Sequence, residues 1–388
     1  MLVKLKDYLD IKRGPGLPSE FYSETGNLIR LTLGNFNYPN GGFKENTSKK
    51  DIYYIGNIKK EYILKKGDLI TPLTEQVSGL LGETAWIPED NKYIQNGDIG
   101  LVIPYENKLN AKYCYYLLSS PLIKKQLGAG AQQTKIRHTS PDKIKDCIAF
   151  IPDIKIQVLI GNLLYSIDEQ INRNNSMVKK LQVLSHAIFN KYFSSEATKT
   201  SLTDFPYIEI IKPGIDKFNG SKHYIATAEV EGDKLNYNAP LIEYTTRENR
   251  ANMQPIKNSV WFAKMKNSIK HICISENDDN LLNNYILSTG FCGIKCNDIT
   301  YEYMINYINL PYFESKKNIL SHGATMEGVN NEDLKSFQIH LPSKDKLECF
   351  HEKTKAIHCK ISEINNMTNQ LIRLKDKLLP LLINGQLQ

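Results

Sequence analysis

The sequence lacks the long apolar segments of membrane and secreted proteins. No stretch approaches about eighteen uninterrupted apolar residues, so no membrane-spanning helix is predicted. The opening residues, MLVKLKD, contain no apolar core of signal-peptide length. The seven cysteines are an odd number and mostly scattered, which fits reduced thiols better than a disulfide framework. These absences predict a cytoplasmic protein.

Recognisable catalytic motifs are also missing. No Walker A phosphate loop occurs, which excludes an ATP-driven motor of that class. No Asp/Asn-Pro-Pro-aromatic motif for adenine methylation occurs, and the nearest string, LPYF at 310–313, has one proline with no acid or amide before it. We therefore predict a chain without catalytic residues.

Metal and phosphate sites are equally poorly supported. Cys292 and Cys296 could supply two ligands, but a second pair at zinc-site spacing is missing, and the histidines are dispersed. Gly128 and Gly130 are interpreted as a surface turn because no helix signature follows them. No metal or cofactor is therefore predicted in this chain.

Size and charge set the remaining limits. With 388 residues, of which 41% are hydrophobic and 23% charged, the chain is long enough for two soluble domains with their own cores. The formal net charge is +7 and the isoelectric point is near 8.8. This moderate basicity permits a polyanionic partner but does not require one.

Two segments of the chain repeat each other. Residues 142–189 resemble residues 332–379, and Pro152 aligns with Pro342, an offset of 190 between the two numbers. Without a gap, the same offset aligns six further identical pairs: Ile167 with Ile357, Ile171 with Ile361, Asn175 with Asn365, Met177 with Met367, Leu181 with Leu371, and Leu184 with Leu374. An offset near half the chain length predicts two tandem halves of similar architecture.

Both repeated segments have the spacing of long helices with a narrow apolar stripe. The stripe of the first is Ile160, Leu164, Ile167, Ile171, Val178, Leu181 and Ile188; that of the second is Ile357, Ile361, Ile364, Met367, Leu371, Leu374 and Leu378. Steps of three and four predict a coiled-coil seam. Asp153 and Ser343 are helix-capping residue types after the shared proline, and Gly385 suits a helix end. Asn174 interrupts the first stripe, either buried and fixing the pairing register or solvated at its edge.

The repeat predicts four regions: a domain at 1–150, a helix at 151–193, a domain at 200–340 and a helix at 341–388, with 194–202 as linker. If the halves are related by a two-fold axis, the helices pair antiparallel. A helix of about 35 residues spans roughly 50 Å at about 1.5 Å per residue. One turn of B-DNA is about 34 Å, so two heads spaced in this way would reach duplex segments more than one turn apart.

The two domains are predicted to be mixed α/β. Short β-like runs alternate with turn signals at 28–31, 67–71, 98–104, 224–228, 259–262 and 269–274, and residues 111–118 are predicted as a helix. The strand order does not follow from these patterns.

Polar and basic segments are the candidate functional residues. One group precedes the first repeated segment: Gln132, Gln133, Lys135, Arg137 and His138. The corresponding residues of the second half are Ser321, His322 and Thr325. Gln can pair with adenine and Arg with guanine in the DNA major groove. Further candidates for phosphate contacts are Arg13, Lys222, His223, Arg247, Arg250 and Lys257. The alternative for each is an ordinary polar turn or a solvated surface charge.

The order domain, helix, domain, helix resembles the specificity subunits of Type I restriction–modification systems. The segments that carry the resemblance are 151–193, which contains IDEQINRNN, and 341–388, which ends in LKDKLLPLLINGQLQ. Supporting strings are GAQQTKIRHTSPDKIKD, SKHYIATAEV, ENRANMQPIKNSVWF and SHGATMEGVNNEDLKSFQIHLP. In one departure, Leu347 stands where the first helix has Gln157, which weakens the expectation of identical partner surfaces.

The resemblance implies a non-catalytic subunit that binds double-stranded DNA at a bipartite target. It also implies two methyltransferase subunits and a restriction/translocase subunit as partners, with S-adenosylmethionine, ATP and magnesium held by them. Two alternatives remain within binding proteins: a specificity subunit for a fused nuclease–methyltransferase, and a bivalent coiled-coil adaptor that binds no DNA. A third is a nuclease with an unrecognised carboxylate site.

Overall fold

A computed structural model of the chain describes residues 2–38, 41–75, 79–129, 137–236, 239–323 and 327–386. The chain forms two compact units. Unit 1 contains Met1–Ile171 and Leu371–Gln388, and unit 2 contains Asn172–Gln370. Each unit therefore includes one section of each long helix. Within the described residues, no helix combines the length and apolarity needed to cross a bilayer.

Two helices are much longer than the others. They are α4 (Ile154–Phe193) and α8 (Lys344–Ile383), each of 40 residues. The shorter helices are α1 (Ala111–Leu118), α2 (Pro121–Ala129) and α3 (Pro141–Lys145) in unit 1, and α5 (Asp279–Asn284), α6 (Tyr301–Ile308) and α7 (Pro311–Leu320) in unit 2. The predicted bounds of α1 and the starts of α4 and α8 after Asp153 and Ser343 are confirmed. The turn interpretation of Gly128 is wrong, because this residue lies within α2; Gly130 lies outside the described residues.

Unit 1 is built from short strands in four small sheets. The strands are β1 (Leu2–Lys4), β2 (Leu9–Arg13), β3 (Tyr22–Ser23), β4 (Ile29–Arg30), β5 (Tyr53–Tyr54), β6 (Leu69–Pro72), β7 (Thr74–Glu75), β8 (Ala85–Trp86), β9 (Tyr93–Ile94), β10 (Ile99–Pro104), β11 (Arg137–His138) and β12 (Ile148–Phe150). Their orders are β1-β12, β2-β10-β6-β8, β3-β5-β4-β9 and β11-β7. The core lies between the second of these sheets and α1, whose residues from Tyr113 to Leu118 are all buried.

Unit 2 also has four small sheets, and the first two given below match the first two of unit 1 in strand order. Its strands are β13 (Lys199–Ser201), β14 (Ile208–Ile210), β15 (Ser221–Ile225), β16 (Val230–Glu231), β17 (Lys234–Leu235), β18 (Leu241–Glu243), β19 (Ala251–Met253), β20 (Ser259–Ala263), β21 (His271–Ile274), β22 (Tyr285–Ser288), β23 (Phe291–Cys296) and β24 (Gln338–His340). Their orders are β13-β24, β14-β23-β20-β21, β18-β15-β22-β19 and β16-β17. The segment 194–202, predicted as a linker, thus contains strand β13, which pairs with β24.

The predicted repeat is confirmed by the fold down to individual hydrogen bonds. The Tyr113 hydroxyl donates to the Phe150 carbonyl at 3.2 Å in unit 1, and the Tyr303 hydroxyl donates to the His340 carbonyl at 2.8 Å in unit 2. Both members of the second pair are 190 positions after those of the first. The mixed α/β class with two long helices is confirmed as well, and the two halves share two sheets of the same strand order.

Gln157 serves the interior of unit 1 and not a partner surface. Its side chain is buried, donates to the carbonyls of Lys108 and Pro152, and accepts from the Asn110 backbone N–H at 2.8 Å. The equivalent Leu347 is fully buried in the core of unit 2. The expectation that this difference alters a partner surface is therefore wrong.

In unit 1, the N-terminal part of α4 packs on the C-terminal part of α8. Lys375 Nζ donates to Asp168 Oδ1 at 2.6 Å, and the Tyr116 hydroxyl of α1 donates to Asp168 Oδ2 at 2.7 Å. Helix α8 ends at Ile383, and Gly385, predicted to suit a helix end, follows it with a φ of +68°. The Gly385 and Gln386 backbone N–H groups donate to the carbonyls of Leu382 and Leu381, which satisfies the exposed end of the helix.

In unit 2, two polar contacts lie in the seam between the helices. Asn174 is buried, and its amide donates to Thr368 Oγ1 at 2.9 Å, which selects the buried alternative for this residue. Ser185 Oγ lies 2.8 Å from His358 Nε2 and accepts from the Asn306 amide of α6. Asn174 precedes Ser185 along α4, whereas its partner Thr368 follows His358 along α8, so the predicted antiparallel pairing is confirmed within this unit.

Two predicted seam residues of α8 face outward. Met367 is 52% exposed and Leu374 is 46% exposed. Thr368 and Lys375, one position later, make the contacts to α4. The apolar spacing could not separate these neighbouring positions, because both recur every seven residues and the outer one is the more hydrophobic.

The neutral histidine in the seam makes folding sensitive to acid. Burial lowers the pKa of His358 from 6.5 to about 4, so an unfolded chain takes up this proton before the folded one does. Stability from this residue is fully present above pH 6.5 and is lost as the pH falls toward 4, by about 3 kcal/mol. Thermal unfolding scans should show the melting temperature falling as the pH is lowered across this range, and the fall should be smaller in His358→Gln. An equally large fall in this variant would contradict the attribution of the acid sensitivity to His358.

Candidate nucleic-acid interface

In unit 1, two candidate residues lie at one edge formed by β7 and β11. Arg137 pairs with Glu75 and His138 with Thr74 in the β-ladder. The Arg137 guanidinium donates to Glu75 Oε1 at 3.3 Å, and His138 Nδ1 lies 3.1 Å from Thr74 Oγ1. Glu75 is almost fully buried and also accepts from two backbone N–H groups. Because these contacts fix the carboxylate, they also restrict the position of the Arg137 guanidinium.

Arg13 reaches the same edge from the end of β2. Its Nε donates to the Gly97 carbonyl at 2.6 Å, and the next residue, Asp98, accepts from the Thr74 hydroxyl at 2.8 Å. The turn before β10 therefore connects Arg13 with His138 through Thr74. The remaining candidates of this group, Gln132, Gln133 and Lys135, lie outside the described residues.

Two carboxylates beside this edge, Glu75 and Glu83, are each paired with a cation. Glu83 forms an ion pair with Lys124 of α2; burial raises the pKa of Glu83, and Lys124 opposes that rise. Glu75 is paired with Arg137. These two acidic groups therefore orient cations, whereas the exposed Asp98 carboxylate accepts from the Thr74 hydroxyl.

In unit 2, four candidates lie on or beside the sheet β18-β15-β22-β19. Lys222 is on β15 with its Nζ 5.1 Å from the Phe218 ring centre, and His223 stacks on Tyr285 of β22 with 5.0 Å between ring centres. Arg247 lies over the Tyr244 ring at 4.2 Å, and Arg250 comes directly before β19. Because cationic side chains lie against aromatic rings on and beside this sheet, it suits a polyanion with stacked bases.

The other candidates of unit 2 are elsewhere. Lys257 is exposed in the connection from β19 to β20, in a cleft lined by Asn277, Lys295 and Asp298. Ser321 donates to the Lys317 carbonyl at the end of α7, and His322 exchanges backbone hydrogen bonds with Gly328. Thr325 lies outside the described residues. The structure therefore does not bring the unit 2 candidates together into one cluster.

A basic segment of unit 1 was missed by the sequence reasoning. Seven lysines within residues 44–66 are exposed: Lys44, Lys49, Lys50, Lys59, Lys60, Lys65 and Lys66. They flank β5, whose Tyr53 and Tyr54 are aromatic. The signal was present in the sequence as three Lys-Lys pairs at intervals of ten and six residues. Lysines of this kind suit phosphate contacts, which give affinity without base specificity.

The chemistry available at these edges is that of binding. Among the described residues, no group of three or more His, Cys, Asp or Glu side chains could hold a metal ion. Cys292 and Cys296, considered above as ligands, lie on β23, where burial raises the pKa of both thiols. The exposed cations and the imidazole of His138 offer hydrogen-bond donors to phosphates and base edges.

Comparison with known proteins agrees with this architecture. Residues 1–185 match the family model of the Type I restriction modification DNA specificity domain. The chain is 22% identical over 377 residues to the putative type I restriction enzyme MjaX specificity subunit of Methanocaldococcus jannaschii, covering 88% of this chain and 85% of that protein.

Among solved structures, the Type I restriction–modification S subunit from M. genitalium has the same fold. It aligns with a TM-score of 0.57 at 14% identity, covering 99% of this chain and 96% of that chain. The HsdS subunit from Thermoanaerobacter tengcongensis aligns with a TM-score of 0.34 at 13% identity, covering 100% of this chain and 97% of that chain.

Proposed function

Because the chain belongs to the Type I restriction–modification DNA specificity family, we propose that it reads a bipartite duplex target, one half-site per unit. The observation that supports this most is the repeat itself. The two units share the strand order of two sheets and a tyrosine hydrogen bond at equivalent positions, whereas the polar residues on their edges differ. A conserved scaffold with divergent edges is what two readers of different sequences require.

Base contacts from two small units can supply the free-energy difference between specific and non-specific DNA binding. A mismatched base pair costs about 1–3 kcal/mol, and specific binding exceeds non-specific binding by roughly 4–10 kcal/mol. A few base contacts from each unit reach that range together. Exposed lysines such as those at 44–66 supply the non-specific phosphate contacts.

The long helices provide the surface for partner subunits in this proposal. Apolar side chains are exposed on α4 and α8 at intervals of seven residues: Ile156 and Leu163, Met177 and Leu184, and Met367, Leu374 and Leu381. An apolar stripe exposed along a helix is an unfavourable arrangement that a partner would cover. We assign these positions to two methyltransferase subunits, one for each half of the repeat, with a restriction/translocase subunit joining them.

As the specificity subunit, this chain is the non-catalytic member of its system. S-adenosylmethionine, ATP and magnesium are accordingly assigned to the partner subunits, and the complex to the cytoplasm. The continuous helices α4 and α8 set the spacer between the half-sites.

Methylation mapping tests the proposal directly. Long-read sequencing of the host genome, with and without the gene, should show one bipartite adenine-methylation motif that disappears on deletion and returns on complementation. Methylation that is unchanged by the deletion in a host with an active system would overturn the proposed function. The purified chain should cleave no DNA in the presence of magnesium.

A further inference from the structure

The two units carry the same ion-pair position with the charges exchanged. The Thr139 backbone N–H donates to the Leu73 carbonyl at 2.8 Å in unit 1, and the Val329 N–H donates to the Lys264 carbonyl at 3.0 Å in unit 2. Thr139 and Val329 are 190 positions apart, so these hydrogen bonds align the edge 73–75 with the edge 264–266.

In that alignment, Arg137 corresponds to Glu327. Arg137 forms an ion pair with Glu75 at 3.3 Å, and Glu327 forms an ion pair with Lys266. The position after the polar segment, called here the outer position, is basic in unit 1 (Arg137) and acidic in unit 2 (Glu327). Its partner on the facing strand edge has the opposite charge in each unit. The Lys266 backbone N–H also donates to the Glu327 carbonyl at 3.0 Å, as expected for neighbouring strands.

The surroundings place the outer residue where a base edge could meet it. The Arg137 side chain is 35% exposed while Glu75 is 4% exposed, and the Glu327 side chain is 48% exposed against 39% for Lys266. In both units this residue closes the polar segment that precedes α3 or its counterpart. Glu75 accepts from the backbone N–H groups of Gly79 and Leu81, which fixes the carboxylate and through it the guanidinium.

We propose that this exchanged pair determines one base of each half-site: Arg137 reads a guanine, and Glu327 reads a cytosine. A guanidinium donates two hydrogen bonds to guanine O6 and N7, whereas a carboxylate accepts from the cytosine N4 amino group. Glu75 and Lys266 are the positioning residues, since each holds its partner from the strand edge. The inference rests on the proposed function and deepens it, because it assigns a base type to an identified residue in each unit.

The test is the methylation motif of complemented deletion strains. Arg137→Lys keeps an ion pair with Glu75 but loses the two-pronged donor, so methylation should persist while guanine preference at one position of one half-site falls roughly 5- to 150-fold. Glu75→Gln should relax the same position and leave the other bases unchanged. Glu327→Gln should relax one cytosine in the other half-site. Lys4→Gln, which breaks the exposed ion pair with Asp146, is the matched control and should leave the motif unaltered.

The outcomes separate the two proposals. A chain-dependent motif that is identical in Arg137→Lys, Glu327→Gln and the wild type overturns this inference and leaves the proposed function standing. The absence of any chain-dependent motif overturns the proposed function itself. Should Glu75→Gln abolish all methylation, that result assigns Glu75 a structural role and contradicts positioning, and Arg137→Lys still decides whether Arg137 reads guanine.

Discussion

Lengthening both long helices by one heptad should change the spacer of the DNA target by about three base pairs and leave both half-sites unaltered. The insertion duplicates residues 177–183 between Ser176 and Met177 of α4, and residues 360–366 between Asn366 and Met367 of α8. Seven helical residues add about 10 Å, and one base pair of B-DNA rises about 3.4 Å. The result is read from the methylation motif of the complemented deletion strain.

The position of the insertion preserves the seam. The Asn174–Thr368 contact lies on one side of it and the Ser185–His358 contact on the other, so both are retained. Seven residues restore the same face of the helix to the seam, which keeps the pairing continuous. Three base pairs also rotate the distal half-site by about a third of a turn, so methylation at the new sites should be slower. An unchanged spacer in a folded variant would contradict the proposal that the helices set it.

A control separates helix length from chain length. The same number of residues, as a Gly/Ser segment, can be placed between Glu106 and Asn107 in an exposed turn of unit 1. This insertion leaves α4 and α8 unchanged, so we expect the wild-type spacer. A spacer change in this control would show that the insertion itself disturbs recognition.

Replacing two exposed apolar residues of unit 2 should remove one methyltransferase from the complex. The variant Met177→Glu with Leu184→Glu changes side chains that are 50% and 49% exposed. Because half of each side chain is already buried, covering the rest by a partner is worth about 0.75–1.5 kcal/mol per residue, and every 1.4 kcal/mol is about tenfold in affinity. The loss for two residues amounts to about one to two orders of magnitude. Native mass spectrometry of the co-expressed complex should show one methyltransferase in place of two.

The matched control uses other exposed positions of the same helix. Asn172→Glu with Lys179→Glu is also spaced by seven residues but lies on a different side of α4. We expect two methyltransferases to remain bound to this variant, and both variants to keep the helical content of the wild type. Full occupancy in the Met177 and Leu184 variant would show that the partner docks elsewhere.

The long helices and the repeat were predictable because their signals are local or periodic. The shared proline followed by Asp153 or Ser343 marks a helix start, and the 190-residue offset relates the halves without any knowledge of the fold. The same periodicity assigned Met367 and Leu374 to the seam, where the structure has Thr368 and Lys375. A pattern of hydrophobic residues could not indicate that the polar Thr368 and the charged Lys375 face α4 in the seam.

The sheets and the candidate interface were less predictable because they depend on distant contacts. Several strands contain only two residues, and β2 pairs with β10 from the other end of its domain. The sequence predicts Arg137 as a candidate for base contacts, but its partner Glu75 is 62 positions away and carries no motif of its own. In unit 2, the Lys266–Glu327 pair became recognisable only when the backbone hydrogen bonds aligned it with unit 1.

The polar contacts between α4 and α8 affect which helix α4 can pair with during translation. The 190 residues between equivalent points of α4 and α8 take roughly 10 to 40 s to translate at about 5–20 residues per second. During that interval the α4 seam is uncovered, and a neighbouring nascent chain offers an identical helix. By the symmetry of the repeat, two α4 helices paired in this way would place Asp168 opposite Ser185 and leave the carboxylate without Lys375. The Asp168–Lys375 ion pair therefore favours pairing of α4 with α8 of the same chain over pairing with the α4 of a neighbouring chain.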